Sequence, residues 1–166
     1  EGRRVLFQYD GLGHLLSVTQ YQRSGSPGAY TYDPYAVTSF GYDTAGNVVA
    51  MTDANGRITT YAYDGLGRNV RVSYADATPE TWDNPHSQTS YDDLWRTVTL
   101  IDPNGHQTIQ HKDWAGRIVQ VDQYETATGQ IYRSYAAYDR LGQKVQATDG
   151  RGAITRMTYD DLGRLT

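Results

Sequence analysis

Tyr42-Asp43-Thr44-Ala45-Gly46, Asp53-Ala54-Asn55-Gly56 and Tyr63-Asp64-Gly65-Leu66-Gly67 follow one another between residues 42 and 67. All three end in one form: Asp, two residues, Gly. Asp favours the first position of a type I turn, where its carboxylate accepts a nearby backbone N–H. Gly favours the fourth, where the chain takes positive φ. A type I turn closed by a left-handed glycine is a common hairpin connection. The stretch therefore predicts three hairpin turns with a strand between each and the next.

Working outward, the Tyr-Asp phrase recurs at Tyr9-Asp10-Gly11-Leu12-Gly13, Tyr138-Asp139-Arg140-Leu141-Gly142 and Tyr159-Asp160-Asp161-Leu162-Gly163. Degenerate copies stand at Tyr91-Asp92-Asp93-Leu94-Trp95 and Lys112-Asp113-Trp114-Ala115-Gly116. The seven phrases start at 9, 42, 63, 91, 112, 138 and 159, so every second interval is 21 and the others are longer and variable. Inside the short intervals lie Asp53–Gly56, Asp102-Pro103-Asn104-Gly105 and Asp149-Gly150-Arg151-Gly152. Internal self-similarity of this kind marks a repeat array. Insertions in such arrays are expected in loops at one edge.

Residue alternation gives the strands between the turns. Counted from each glycine, or from Trp95 in its place, the third and fifth residues are Leu16/Val18, Val49/Met51, Val70/Val72, Val98/Leu100, Val119/Val121 and Val145/Ala147, all apolar. The second and fourth are mostly polar, as in Thr97/Thr99 and Lys144/Gln146. Period two with one apolar face predicts an antiparallel sheet buried on one side. No run keeps a helical period.

Composition narrows the function classes. Tyr is abundant at 15 residues against 2 Phe. It suits strands, with an apolar body and a hydroxyl able to reach water or a backbone carbonyl. Net charge is −4 and the basic residues are dispersed, which argues against a nucleic-acid partner. The 166 residues hold no Cys, hence no disulfide or thiolate metal site, and no segment apolar enough to span a membrane. Residues 3–9 read like the strand before each later phrase, and Leu165-Thr166 like the start of another. The reading is one array over 1–166, a fragment of a longer chain, whose terminal edges predict edge-to-edge association between copies.

Tyr63–Val72, Tyr42–Gly56 and Tyr159–Leu165 resemble the YD repeats, also called Rhs repeats, with pattern Tyr-Asp-x-x-Gly-Arg, alternating apolar residues, then Thr-Asp-x-x-Gly. The resemblance covers essentially the whole chain. It departs at Trp95, at Lys112 and in inserts near 20–40, 74–90 and 123–136, read as repeat drift. It implies an all-β fold: a strip of antiparallel β-hairpins, here a segment of a spiralling β-shell. Such shells occur in bacterial Rhs toxins, in B and C components of insecticidal toxin complexes, and in teneurins. The absence of Cys points to the bacterial members, in which the shell encloses a toxic C-terminal domain. The resemblance thus implies a secreted or cell-surface structural protein that shields an effector. Its partners would be the rest of the shell and the enclosed toxin. The alternative is a cell-surface module that binds glycans or a receptor.

Residues that invite chemistry have plainer readings. Asp102-Pro103-Asn104-Gly105 partly resembles the Asp-Pro-x-Gly-Leu segment near the self-cleavage site of bacterial Rhs cores, but His106 replaces the Leu and the turn explains the Asp. His106 and His111 are five apart and make no His-x-His pair; His14 and His106 follow turn glycines and read as solvated strand starts. The Asp series lacks the converging carboxylates of a calcium-binding β-roll. No catalytic residue, metal or cofactor is assigned, and no enzymatic activity. Tyr9, Tyr42, Tyr63, Tyr91, Tyr138 and Tyr159, with the turn Asp and Gly residues, are assigned to structure. Trp82, within an irregular insert, is the residue assigned to a glycan contact under the alternative.

Overall fold

The computed structural model describes residues 3–76 and 83–166. All its regular structure is strand, in two units, Glu1–His86 and Ser87–Thr166. Among the described residues no helix is long and apolar enough to cross a membrane.

The first unit carries β1 (Arg3–Tyr9), β2 (Leu15–Ser26), β3 (Ala29–Tyr42), β4 (Val48–Thr52), β5 (Ile58–Tyr63) and β6 (Asn69–Ser73). Each pairs antiparallel with the next. The second carries β7 (His86–Asp92), which begins at the boundary, then β8 (Thr97–Ile101), β9 (Gln107–Lys112), β10 (Ile118–Tyr124), β11 (Ile131–Tyr138), β12 (Lys144–Thr148) and β13 (Ile154–Arg156). These too pair antiparallel in chain order. Trp82 lies outside the described residues.

Register assigns the faces, because paired residues share one. Phe40 opposes Met51, Tyr61 opposes Val72, and Ala136 opposes Ala147 on the face predicted to be apolar. That face is not buried. No described hydrophobic residue reaches full burial, and Leu16 on this face is 41% exposed. Among the described residues strand contacts join chain neighbours, so within each unit the sheet is one layer with no second element packed on it. The residues that are buried are polar: Ser17, Thr19 and Asp122.

Two further expectations are corrected. The insert near 20–40 is not a loop. Alternating Tyr, Thr, Ser and Gln residues extend β2 and β3 into a long arm paired out to Ser26↔Ala29, interrupted by one bulge at Gln20/Tyr21. The insert near 123–136 likewise lengthens β10 and β11, which stay paired to Tyr124↔Ile131. At the fourth phrase, Trp95 does not take the glycine's conformation. The left-handed residue is Arg96, at φ 53°, and β7 and β8 pair without a bulge through Asp92↔Thr97. A bulky side chain disfavours positive φ, and here the left-handed position has moved one residue on, from the glycine's place to Arg96.

Candidate functional site

Asp10, Asp43, Asp53, Asp64, Asp102, Asp113, Asp139, Asp149 and Asp160 each open a turn of one geometry. The Asp carbonyl accepts the N–H of the glycine three residues on, at 2.9–3.2 Å, and the Asp N–H donates to the carbonyl four residues on, at 2.9–3.0 Å. Asp Oδ1 accepts two more backbone N–H groups, as at Asp64 from Leu66 and Arg68 at 2.9 and 3.0 Å. The closing glycines, Gly13, Gly46, Gly56, Gly67, Gly105, Gly116, Gly142, Gly152 and Gly163, have φ of 75–89°. At the variant phrase, Asp92 Oδ1 accepts the N–H of Trp95 at 2.9 Å.

The residue after the glycine completes the turn. Arg68 Nε donates to Asp64 Oδ2 at 2.8 Å, Arg117 to Asp113 at 2.7 Å and Arg164 to Asp160 at 2.7 Å. Asn47 does the same for Asp43 at 2.9 Å. His14 and His106 occupy this role too, each with Nδ1 2.8 Å from its turn carboxylate, so they are turn caps rather than free solvated side chains. Hydrogen bonds from that residue, backbone or side chain, are the leading cause that holds Asp10, Asp43, Asp53, Asp64, Asp102, Asp113, Asp149 and Asp160 below the usual carboxylate range. The Asp102 carboxylate in return raises His106, first through their hydrogen bond.

Within each unit the tyrosines then join one turn to the next along one edge. Tyr42 donates its hydroxyl to the Leu15 carbonyl at 2.9 Å, Tyr63 to Val48 at 2.9 Å, Tyr138 to Ile118 at 3.1 Å and Tyr159 to Lys144 at 2.8 Å. Each acceptor lies two residues past the glycine of the preceding phrase, which for Tyr138 is the Lys112-Asp113 copy. The rings are used as well. His14 stacks on Tyr42 with centroids 4.8 Å apart, and the Arg117 guanidinium lies 4.7 Å over Tyr138. The cap residue also reaches the next glycine: a Cβ on Gly163 would stand 2.9 Å from Gln143 Nε2. Tyr9 has no such hydroxyl bond among the described residues and is 59% exposed.

This edge differs from the other. Turns at Asp53, Asp102 and Asp149 follow Thr52, Ile101 and Thr148, so they carry no stapling tyrosine. They alternate with the variable connections, including the tip of the long arm at residues 27–28. At the turn tips of the stapled edge Leu12, Leu66, Trp114, Leu141 and Leu162 are 74–89% exposed. Trp95 is also exposed at its turn, and Arg96 covers the Trp114 ring at 3.7 Å.

One site was missed from sequence. Asp122, 4% exposed in the middle of β10, accepts from Gln120 Nε2 at 2.8 Å and from Arg133 Nε at 3.4 Å. His111 Nε2 lies 3.7 Å from the same carboxylate and has no hydrogen-bond partner among the described residues. The cluster ties β9, β10 and β11 on the face opposite Val119 and Val121. An Asp among strand-forming residues was its only sequence signal, since Asp is depleted from strands. Among the described residues no three His, Cys, Asp or Glu side chains converge as metal ligands.

Comparison with known proteins gives three findings. The RHS repeat family model matches residues 37–79. The chain is 26% identical to the double-stranded DNA deaminase toxin A of Burkholderia cenocepacia, over 97% of this chain and 10% of that protein. It is 29% identical to the toxin protein Tse5 of Pseudomonas aeruginosa, over 96% of this chain and 10% of that protein. It therefore spans about a tenth of the length of the curated relatives it matches. Among solved structures, the TcdB2-TccC3-Cdc42 crystal structure superposes with a TM-score of 0.75 at 15% identity, covering 95% of this chain and 8% of that one. A Photorhabdus luminescens Tc holotoxin pore matches with a TM-score of 0.52 at 15% identity, covering 97% of this chain and 11% of that one. These structural likenesses carry the fold.

Proposed function

We propose that residues 1–166 form one stretch of the β-shell of a longer bacterial toxin protein, a reading supported by the RHS repeat match over residues 37–79. The shell encloses and shields a toxic effector domain until delivery. The observation that carries this reading is the stapled edge. Tyrosine hydroxyls and turn caps fix the spacing of successive hairpins without any packed core, which is what a thin wall requires. The toxin proteins among the relatives and the fold shared with the Tc structures support it. The mechanism is steric: the wall separates an effector from its surroundings, and no side chain here is assigned a catalytic step. Partners are the neighbouring repeats and the enclosed domain, and the whole is exported or delivered from a bacterium.

The test uses the longer protein. Limited proteolysis should leave the effector domain intact while the array is intact. Replacing Tyr42, Tyr63 and Tyr138 together by Phe should open the wall and expose the effector to cleavage. Equal cleavage rates with and without the substitutions, or an effector already cleaved in the parent, would sink the proposal.

A further inference from the structure

The long β2–β3 arm has two unlike faces. On one, Tyr21, Arg23, Tyr30 and Tyr32 share a side with Arg4 of β1, as their register requires: Arg4↔Tyr21 and Arg23↔Tyr32 are opposed pairs. The Arg4 guanidinium lies 3.5 Å over the Tyr32 ring, and that of Arg23 lies 4.1 Å over Tyr30. On the other face Tyr35 donates to Gln20, and Ser24 bonds both Thr31 and Asp33. The lone carboxylate of the arm, Asp33, is thus spent on the far side.

The contrast with the repeats is chemical. Arg68, Arg117, Arg133 and Arg164 each meet an aspartate. Arg4 and Arg23 have no carboxylate partner among the described residues. Each guanidinium instead lies on a ring, which fixes its plane and leaves N–H donors unused. Diagonal neighbours across a strand pair stand about 7–8 Å apart. Beside them Arg4, Val5, Leu6, Tyr21 and Tyr32 line a recess of about 360 Å³. Val5 and Leu6 are 52% and 46% exposed.

We propose that this face of the arm docks an acidic extended peptide segment of a partner protein. Carboxylates would take the two forks, for which planar guanidinium is matched. An adjoining apolar side chain would enter the recess. Tyr and Arg are the residues that dominate such contacts. Two isolated cations on a chain of net charge −4 are too few for a phosphate backbone, so nucleic acid is the disfavoured occupant. The arm leaves from the unstapled edge, so a partner could engage it without disturbing the tyrosine staples.

Fluorescence anisotropy of this chain with a fluorescein-labelled decapeptide alternating Glu and Val tests the idea. The Glu peptide should bind, and its Gln counterpart should bind more weakly. Arg4→Gln and Arg23→Gln should each weaken binding about two- to fivefold, the range for exposed charge pairs. Arg151→Gln, an equal charge change at an exposed turn, should leave it unchanged. Arg4→Lys, which keeps charge without the planar stack, covers the case in which Arg4→Gln misfolds and should also weaken binding. Absence of binding by the parent, equal weakening by Arg151→Gln, or tighter binding of a ten-nucleotide oligothymidine would each overturn the proposal.

Discussion

A tyrosine hydroxyl in this array finds its acceptor 15 to 27 residues back along the chain. Tyr63→Phe removes that donor and leaves the Val48 carbonyl short of a partner. A single neutral hydrogen bond is worth about 0.5–1.5 kcal/mol, and urea denaturation should register a loss of that size. Tyr9→Phe is the internal control and should be silent, since Tyr9 holds no such bond. Equal effects at the two sites would refute the staple. Gly67 tests the turn itself. Its φ is 75° and no atom lies within 4 Å of where a Cβ would stand, so dihedral strain is the whole cost. Gly67→Val should lose at least about 1–2 kcal/mol, and Gly67→Asn clearly less. A Val variant that melts like the parent would remove the turn assignment. At this scale the Asp and Gly roles were legible because both partners lie within five residues. The target of the tyrosine hydroxyl was not, because its acceptor is a backbone carbonyl at the start of the neighbouring strand, 15 to 27 residues back, and carries no sequence mark.

Turns and strands respond to solution conditions as elements. The carboxylates of Asp64, Asp113 and Asp160 are held below their usual range by hydrogen bonds that exist only in the folded turn. Their folded pKa is below the unfolded one, so their stabilisation is present above about pH 4 and is lost as pH falls through the lowered folded value. Asp64→Asn should therefore weaken the chain at pH 7 and converge with the parent near pH 2, read by denaturant midpoints at both. A difference that persists undiminished in acid would show that ionisation of Asp64 is irrelevant. His106 runs the other way: its pKa is raised, so its contribution is full below about pH 6.5 and fades as pH rises through the folded value. Between strands, Asp122 is a buried carboxylate whose partners lie on neighbouring positions of β10 and on β11. Asp122→Ala strips Gln120 and the half-exposed Arg133 of their acceptor, and each lost hydrogen bond is worth about 0.5–1.5 kcal/mol. Hydrogen exchange should speed in β9, β10 and β11 first, and uniform loosening would count against a local hub. Strand existence was readable from period two, whereas the Asp122 cluster depends on register between three strands. The arm escaped for a related reason: Gly25, Pro27 and Pro34 look like loop punctuation, yet one bulge absorbs the irregularity.

For the whole molecule, the one-layer construction governs unfolding. Denaturant sensitivity scales with the surface exposed on unfolding, and a sheet uncovered on both sides within each unit has little apolar area left to expose. The urea m-value of this chain should fall below that of a packed domain of equal length. An m-value at the packed level would mean that the apolar face is covered, by association between copies, and would then depend on protein concentration. The two edges should also differ in tolerance. A doubled loop costs only about 0.6 kcal/mol in closure entropy, so a ten-residue Gly-Ser insert between Ala127 and Thr128, at the unstapled edge, should barely move the midpoint. The same insert between Gly65 and Leu66 would displace the turn whose N–H groups cap Asp64 and whose strand carries the Tyr63 staple. That variant should lose more than closure entropy allows. The variable intervals in the sequence are the imprint of this asymmetry: the extra residues enter at the unstapled edge, so Tyr42 and Tyr138 staple across the long intervals as Tyr63 and Tyr159 do across the short ones. Equal penalties for the two inserts would dissolve that explanation.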